Sequence, residues 1–76
     1  MKQMKVSFKD PKEVLEFVNC VTKYPFDMDM KRGHILIDAK SILGVIGLGM
    51  GNISELIVYN EECDTLEKDI EKYLVA

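Results

Sequence analysis

Hydrophobic and polar positions alternate along four short stretches of the chain and recur at helical spacing in the segments between them. Met4, Val6 and Phe8 alternate with Lys5 and Ser7, which predicts a half-buried strand over Met4 to Phe8. Phe26, Met28 and Met30 alternate with Asp27 and Asp29, and His34 to Asp38 follows with Ile35 and Ile37 expected inward. Lys31-Arg32-Gly33 is the expected hairpin turn between these two strands. Glu55 to Tyr59 predicts a fourth strand with Leu56 and Val58 on one face. In the first intervening segment Val14, Phe17, Val18 and Val21 repeat at helical spacing, with Lys12, Glu16, Asn19 and Lys23 opposite. Asp10 is a good N-cap for that helix, Pro11 suits its first position, and Glu13 stands where a capping-box acid belongs. Tyr24-Pro25 closes it, because a residue before proline avoids helical geometry. Asp64-Thr65-Leu66-Glu67 has the capping-box form again and opens a last helix burying Leu66, Ile70, Tyr73 and Leu74.

The stretch Lys40 to Gly51, KSILGVIGLGMG, fits neither pattern cleanly. Ser41 is a helix-start signal, but Ile42, Leu43, Val45, Ile46 and Leu48 then crowd nearly every direction around a short helix. Glycines at 44, 47, 49 and 51 weaken that helix and end it early. Successive residues turn by about 100°, so Ile42 and Leu43 cannot both face one sheet. The segment is expected to be a short helix with Ser41 as its cap and at least one of Ile42, Leu43 and Ile46 exposed as a contact patch.

The element order is therefore β-α-β-β-α-β-α, without linker or repeat. The two aspartates on the second strand leave one sheet face wet, so all three helices are expected on the other, an α+β open-faced sandwich over an antiparallel sheet. A right-handed crossover from the first strand to the second leaves room for the fourth between them. At 76 residues the expectation is one domain, 1–76. A net charge of −3 argues against a nucleic-acid partner. No run is long enough to span a bilayer and the first eight residues carry no signal peptide, so the expected location is the cytoplasm. Cys20 and Cys63 are expected as reduced, half-buried thiols, and no Cys/His spacing suits a metal. The glycine run after Ile46 lacks the full dinucleotide fingerprint, and no Ser/His/Asp set or paired acids mark an enzyme, so no cofactor is expected.

With these elements in place, the chain resembles HPr, the histidine-containing phosphocarrier of the bacterial phosphotransferase system. The element order is that family's, and KSILGVIGLG (Lys40 to Gly49) looks like its KSI[ML]G…LG motif around a regulatory serine. The resemblance implies strand order 1-4-2-3 with three helices on one face. It also implies a departure. The family carries its phosphoryl group on a histidine in a GxHARP-like run at the start of helix 1. Here Asp10 stands in the histidine's place, Lys12 in the arginine's and Glu13 in the proline's. Asp10 supplies its own carboxylate to the helix-start amides and would repel a phosphoryl group. The single histidine, His34, falls on the third strand, roughly 14 Å from the first at about 4.8 Å per strand, too far to substitute.

Ser41 matches the family's kinase-modified serine, and at a cap its phosphate would face helix amides and Lys40; otherwise it is a cap alone. By the same resemblance Ile42, Leu43 and Ile46, with Lys12, map onto the surface that contacts protein partners; otherwise the apolar three are core. The implied function is a regulatory or adaptor protein, not an enzyme. Its partners would be HPr kinase, phosphotransferase-system enzymes or a transcriptional regulator. The alternatives are a phosphocarrier using a non-standard residue, and an HPr fold recruited for an unrelated binding role.

Overall fold

A computed structural model describes residues 1–48 and 51–75. The elements are β1 (Lys2–Val6), α1 (Pro11–Val21), β2 (Met28–Arg32), β3 (Ile35–Asp38), α2 (Ile42–Gly47), β4 (Ser54–Val58) and α3 (Asp64–Asp69), then a 3₁₀ turn at Glu71–Tyr73. The four strands form one antiparallel sheet in the order β1-β4-β2-β3. No described helix is long and apolar enough to cross a membrane.

The core lies between the helices and one sheet face. Val6, Met28, Met30, Leu56 and Val58 of the sheet are buried with Val14, Phe17, Val18 and Val21 of α1, Val45 of α2, and Leu66, Ile70 and Tyr73 from the C-terminal elements. Phe17 sits edge-on to Phe8 with ring centroids 4.9 Å apart and to Tyr73 at 5.8 Å. The opposite face is the wet one: Asp27 is exposed, and Asp29 is half-buried beneath the Tyr59 hydroxyl, which donates to its carboxylate at 2.8 Å.

Several boundaries differ from the sequence expectation. β1 begins and ends two residues earlier because its partner β4 starts at Ser54, opposite Val6, so Ser7 and Phe8 have no ladder to join. Phe8 is nevertheless buried. β2 starts at Met28, since Phe26 packs against the Tyr24 ring in the preceding loop, centroids 5.6 Å apart. It runs on to Arg32, so the hairpin turn is Gly33-His34 and not Lys31-Arg32-Gly33. Gly33 has φ +61, the conformation that a two-residue hairpin asks of its first residue. Ile37 is half-buried as expected, but Ile35 is 53% exposed. The backbone of α2 approaches Ile37, whose Cδ1 would lie 3.1 Å from a Cβ at Gly44; Ile35 is beyond that cover, opposite Arg32 at the tip.

The capping box expected at Asp64 does not form. Cys63 is the N-cap of α3, with no side-chain hydrogen bond, and Asp64 is already in the first turn. The Glu67 carboxylate is drawn instead into an ion pair with Lys2 of β1. Leu74 is half-buried rather than part of the helix, which gives way to the 3₁₀ turn before Leu74 bridges to Val6. Cys20 is half-buried and Cys63 buried, both as free thiols. Burial raises the Cys20 thiol above its ordinary range, which keeps it protonated at neutral pH.

Candidate functional site

The start of α1 is closed by its own side chains. The Glu13 amide donates to Asp10 Oδ1 at 2.9 Å, and Glu13 Oε1 accepts from the Lys9 amide at 2.8 Å. This is a capping box shifted by one residue, since the reciprocal donor is Lys9 and not Asp10. Two carboxylates thus occupy the positive end of the helix dipole, where a bound anion would otherwise sit. Lys12 is exposed in the first turn. Replacing Asp10 by Ala is expected to lower stability by about 1 kcal/mol, the usual cost of a lost N-cap. The midpoint of urea unfolding measures this, and an unmoved midpoint would remove Asp10 from the role of cap.

The start of α2 is built the same way. Ser41 has extended backbone geometry, and its Oγ accepts from the Gly44 amide at 3.1 Å. A Cβ at position 44 would lie 3.2 Å from that Oγ, so the glycine leaves the cap room on that side. Lys40, expected to face a phosphate on Ser41, is committed elsewhere: its Nζ donates to the Tyr24 carbonyl at 2.7 Å.

These contacts set how α1 and α2 lie. Lys40 ties the start of α2 to Tyr24, just past the end of α1. Beyond α2, the Gly51 amide donates to the Phe8 carbonyl at 2.9 Å, just before α1 begins. The two helices therefore pack antiparallel, and Asp10 and Ser41 stand at opposite ends of the pair. The 11 residues of α1 span about 16 Å, so the two caps do not form one site.

Along α2, Val45 and Leu48 turn into the core, while Leu43 is 84% exposed and Ile42 and Ile46 are each 37% exposed. Residues three and four apart share a helix face, so Ile42, Leu43 and Ile46 make one apolar ridge beginning beside Ser41. Gly49, the last residue of the serine motif, and Met50 lie outside the described residues, and with them the expected helix-ending role of Gly49.

Two contributors were missed in the sequence. Leu15 is 46% exposed and lies three residues from Lys12 on one side of α1, off the buried stripe that defines the helix pattern. Arg32, assigned to a turn, reaches across to donate to the Leu48 carbonyl at the C-terminal end of α2. A cation there satisfies an orphan carbonyl and complements the helix dipole, but β2 and α2 are far apart in sequence, so no local signal marks it. His34 is exposed in the hairpin turn, on the strand pair farthest from β1.

Comparison with solved structures finds this fold in HPr proteins. The structure of HPr-C-His from Thermoanaerobacter tengcongensis superposes with a TM-score of 0.77 at 22% identity, covering 95% of this chain and 89% of that one. The phosphocarrier protein HPr from Bacillus anthracis str. Ames gives 0.73 at 17% identity, covering 97% and 96% respectively. The chain has the HPr fold. No family model matches it, and no curated protein does either.

Proposed function

We propose that this chain is a regulatory or adaptor protein related to the HPr of the bacterial phosphotransferase system, working in the cytoplasm and not as an enzyme. It docks on protein partners through Ile42, Leu43 and Ile46, with Lys12 contributing, and Ser41 is the residue through which docking is regulated. The observation that carries this reading is the 84% exposure of Leu43, two residues from a serine that caps the same helix. An apolar side chain so exposed has no packing role in the fold, and a phosphate on Ser41 would add roughly two negative charges at the rim of its ridge. Because Lys40 is bonded to Tyr24, that charge would be met by the helix amides alone and would project towards a partner. It would weaken apolar and acidic partners and favour those presenting arginine.

HPr kinase with ATP tests both halves. The wild type is expected to gain one phosphoryl group by intact mass, and Ser41→Ala none. The kinase must itself dock, so Leu43→Ala is expected to lower kcat/KM about tenfold, the effect of losing roughly 1.4 kcal/mol at a contact. An unmodified wild type, or a Leu43→Ala variant modified at the wild-type rate, overturns the proposal.

A further inference from the structure

Arg32 stands on the helix side of the sheet. Met28, Met30 and Arg32 share one parity along β2, and the two methionines are buried in the core. Arg32 follows them at the end of the strand, under the last turn of α2. Its Nη1 donates to the Leu48 carbonyl, and Asn52, with its side-chain oxygen towards the guanidinium, accepts from Nη1 and Nη2 at 3.1 Å each. One planar fork therefore holds both the end of α2 and the chain just before β4 begins at Ser54.

By itself α2 has little to keep it in place. It has six residues, two of them glycine, well below the length at which a helix stands alone. Val45 and Leu48 anchor it in the core. At its start Ser41 caps the Gly44 amide, and Lys40 Nζ ties the chain to the Tyr24 carbonyl just past α1. At its end Arg32 reaches across from β2. One tether thus comes from the α1 side and one from the sheet, at opposite ends of the helix. Together they set the turn of α2 about its own axis, and with it the direction in which Leu43 and Ile46 project.

We propose that Arg32, through its fork on Leu48 and Asn52, is the positioning residue of the ridge formed by Ile42, Leu43 and Ile46. The inference rests on the reading of that ridge as a docking surface. Arg32 is bonded at the end of α2 away from Ser41, so it takes no part in chemistry at the serine. Its hold on the last turn governs how well a partner seats, and leaves the transfer step itself unchanged. Lysine does not replace it, because a single ammonium on a flexible stem has no fork to span Leu48 and Asn52.

Amide hydrogen exchange by NMR and HPr kinase kinetics test this on wild type, Arg32→Met, Arg32→Lys, Asn52→Ala and the Arg32→Met, Asn52→Ala pair. The amides read are those of Val45 and Leu48, bonded to the Ser41 and Val45 carbonyls, with the Thr22 amide at the end of α1 as reference. Arg32→Met is expected to speed exchange at Val45 and Leu48 about fivefold, the effect of one lost hydrogen bond on a local opening, with Thr22 unchanged. Arg32→Lys should speed it less. KM for phosphorylation of Ser41 should rise about threefold in Arg32→Met, with kcat within about twofold of wild type. Asn52→Ala loosens the same fork while keeping the charge, so it should move both readouts in the same direction and add nothing further in the pair. Unchanged exchange at Val45 and Leu48 in Arg32→Met overturns the inference. So does a KM that rises in Arg32→Met but not in Asn52→Ala, since Arg32 would then touch the kinase itself, and so does a loss confined to kcat. A wild type that the kinase leaves unmodified, with exchange in α2 still quickened by Arg32→Met, removes the docking reading while the hold of Arg32 on α2 stands.

Discussion

Phe17→Ala is expected to lower the unfolding free energy by about 3–5 kcal/mol, the range for a truncated buried aromatic. Phe17 is wholly buried and is the hub of the aromatic cluster, edge-on to both Phe8 and Tyr73. Its loss leaves a cavity between α1, Phe8 and the C-terminal 3₁₀ turn. Those neighbours are themselves pinned: the Tyr73 amide bonds the Ile70 carbonyl at 2.9 Å and the Ser7 amide bonds the Tyr73 carbonyl at 3.0 Å, so collapse around the void is restricted. For a chain this size, total stability is roughly 4–11 kcal/mol at about 0.05–0.15 kcal/mol per residue, so the variant forfeits a large share. A loss of 3 kcal/mol corresponds to roughly 12–24 °C in Tm. Thermal and urea melts measure it, with Leu43→Ala as the control expected within about 0.5 kcal/mol, because that side chain is already in water. A Phe17→Ala loss below about 1 kcal/mol would mean that the aromatic cluster is not the keystone of this core.

What the sequence made legible was what is decided locally. The start of α1 and the start of α2 were readable because a cap, its acceptor and the amide it binds lie within four residues. The buried stripe of α1 and the alternation of Met28, Met30, Leu56 and Val58 were readable because each periodicity is a property of one element. That at least one of Ile42, Leu43 and Ile46 is exposed followed from the geometry of a short helix crowded on all sides; that Leu43 is the most exposed of the three did not. The failures share the opposite property. Glu67 was read as a capping acid, but its partner is Lys2, at the far end of the sequence. Ile35 has the inward parity expected of it and is still exposed, because burial there depends on how far α2 extends over β3. Arg32 and Lys40 were assigned by their neighbours in sequence, whereas each is held by a carbonyl 16 residues away.

Incubated with phosphoenolpyruvate and Enzyme I, the protein is expected to gain no phosphoryl group, an all-or-none difference from a competent carrier run beside it. The likeness to HPr structures is one of fold, so the reason has to be found at the start of α1. A phosphohistidine at a helix start is stabilised by amides left free there and by the positive end of the dipole. In this chain the Glu13 amide is bound to Asp10 and the Lys9 amide to Glu13, and both acceptors are carboxylates. An incoming phosphoryl group, itself carrying about two negative charges, would meet two more across a few ångströms, with Lys12 as the one cation of the first turn. His34 gives no way round this, since it stands in the β2–β3 turn while β1, which leads into α1, is the opposite edge strand. Restoring only the acceptor should therefore be insufficient. Asp10→His leaves the Glu13 carboxylate in place and is expected to accept phosphate poorly, whereas Asp10→His combined with Glu13→Gln removes both charges and should accept more. Intact mass, with alkali treatment, which hydrolyses an acyl phosphate and spares a phosphohistidine, reads each case. A phosphoryl group on Asp10 or His34 of the wild type would instead establish a carrier with a non-standard acceptor, and the box at Asp10 and Glu13 would then have to open for each transfer.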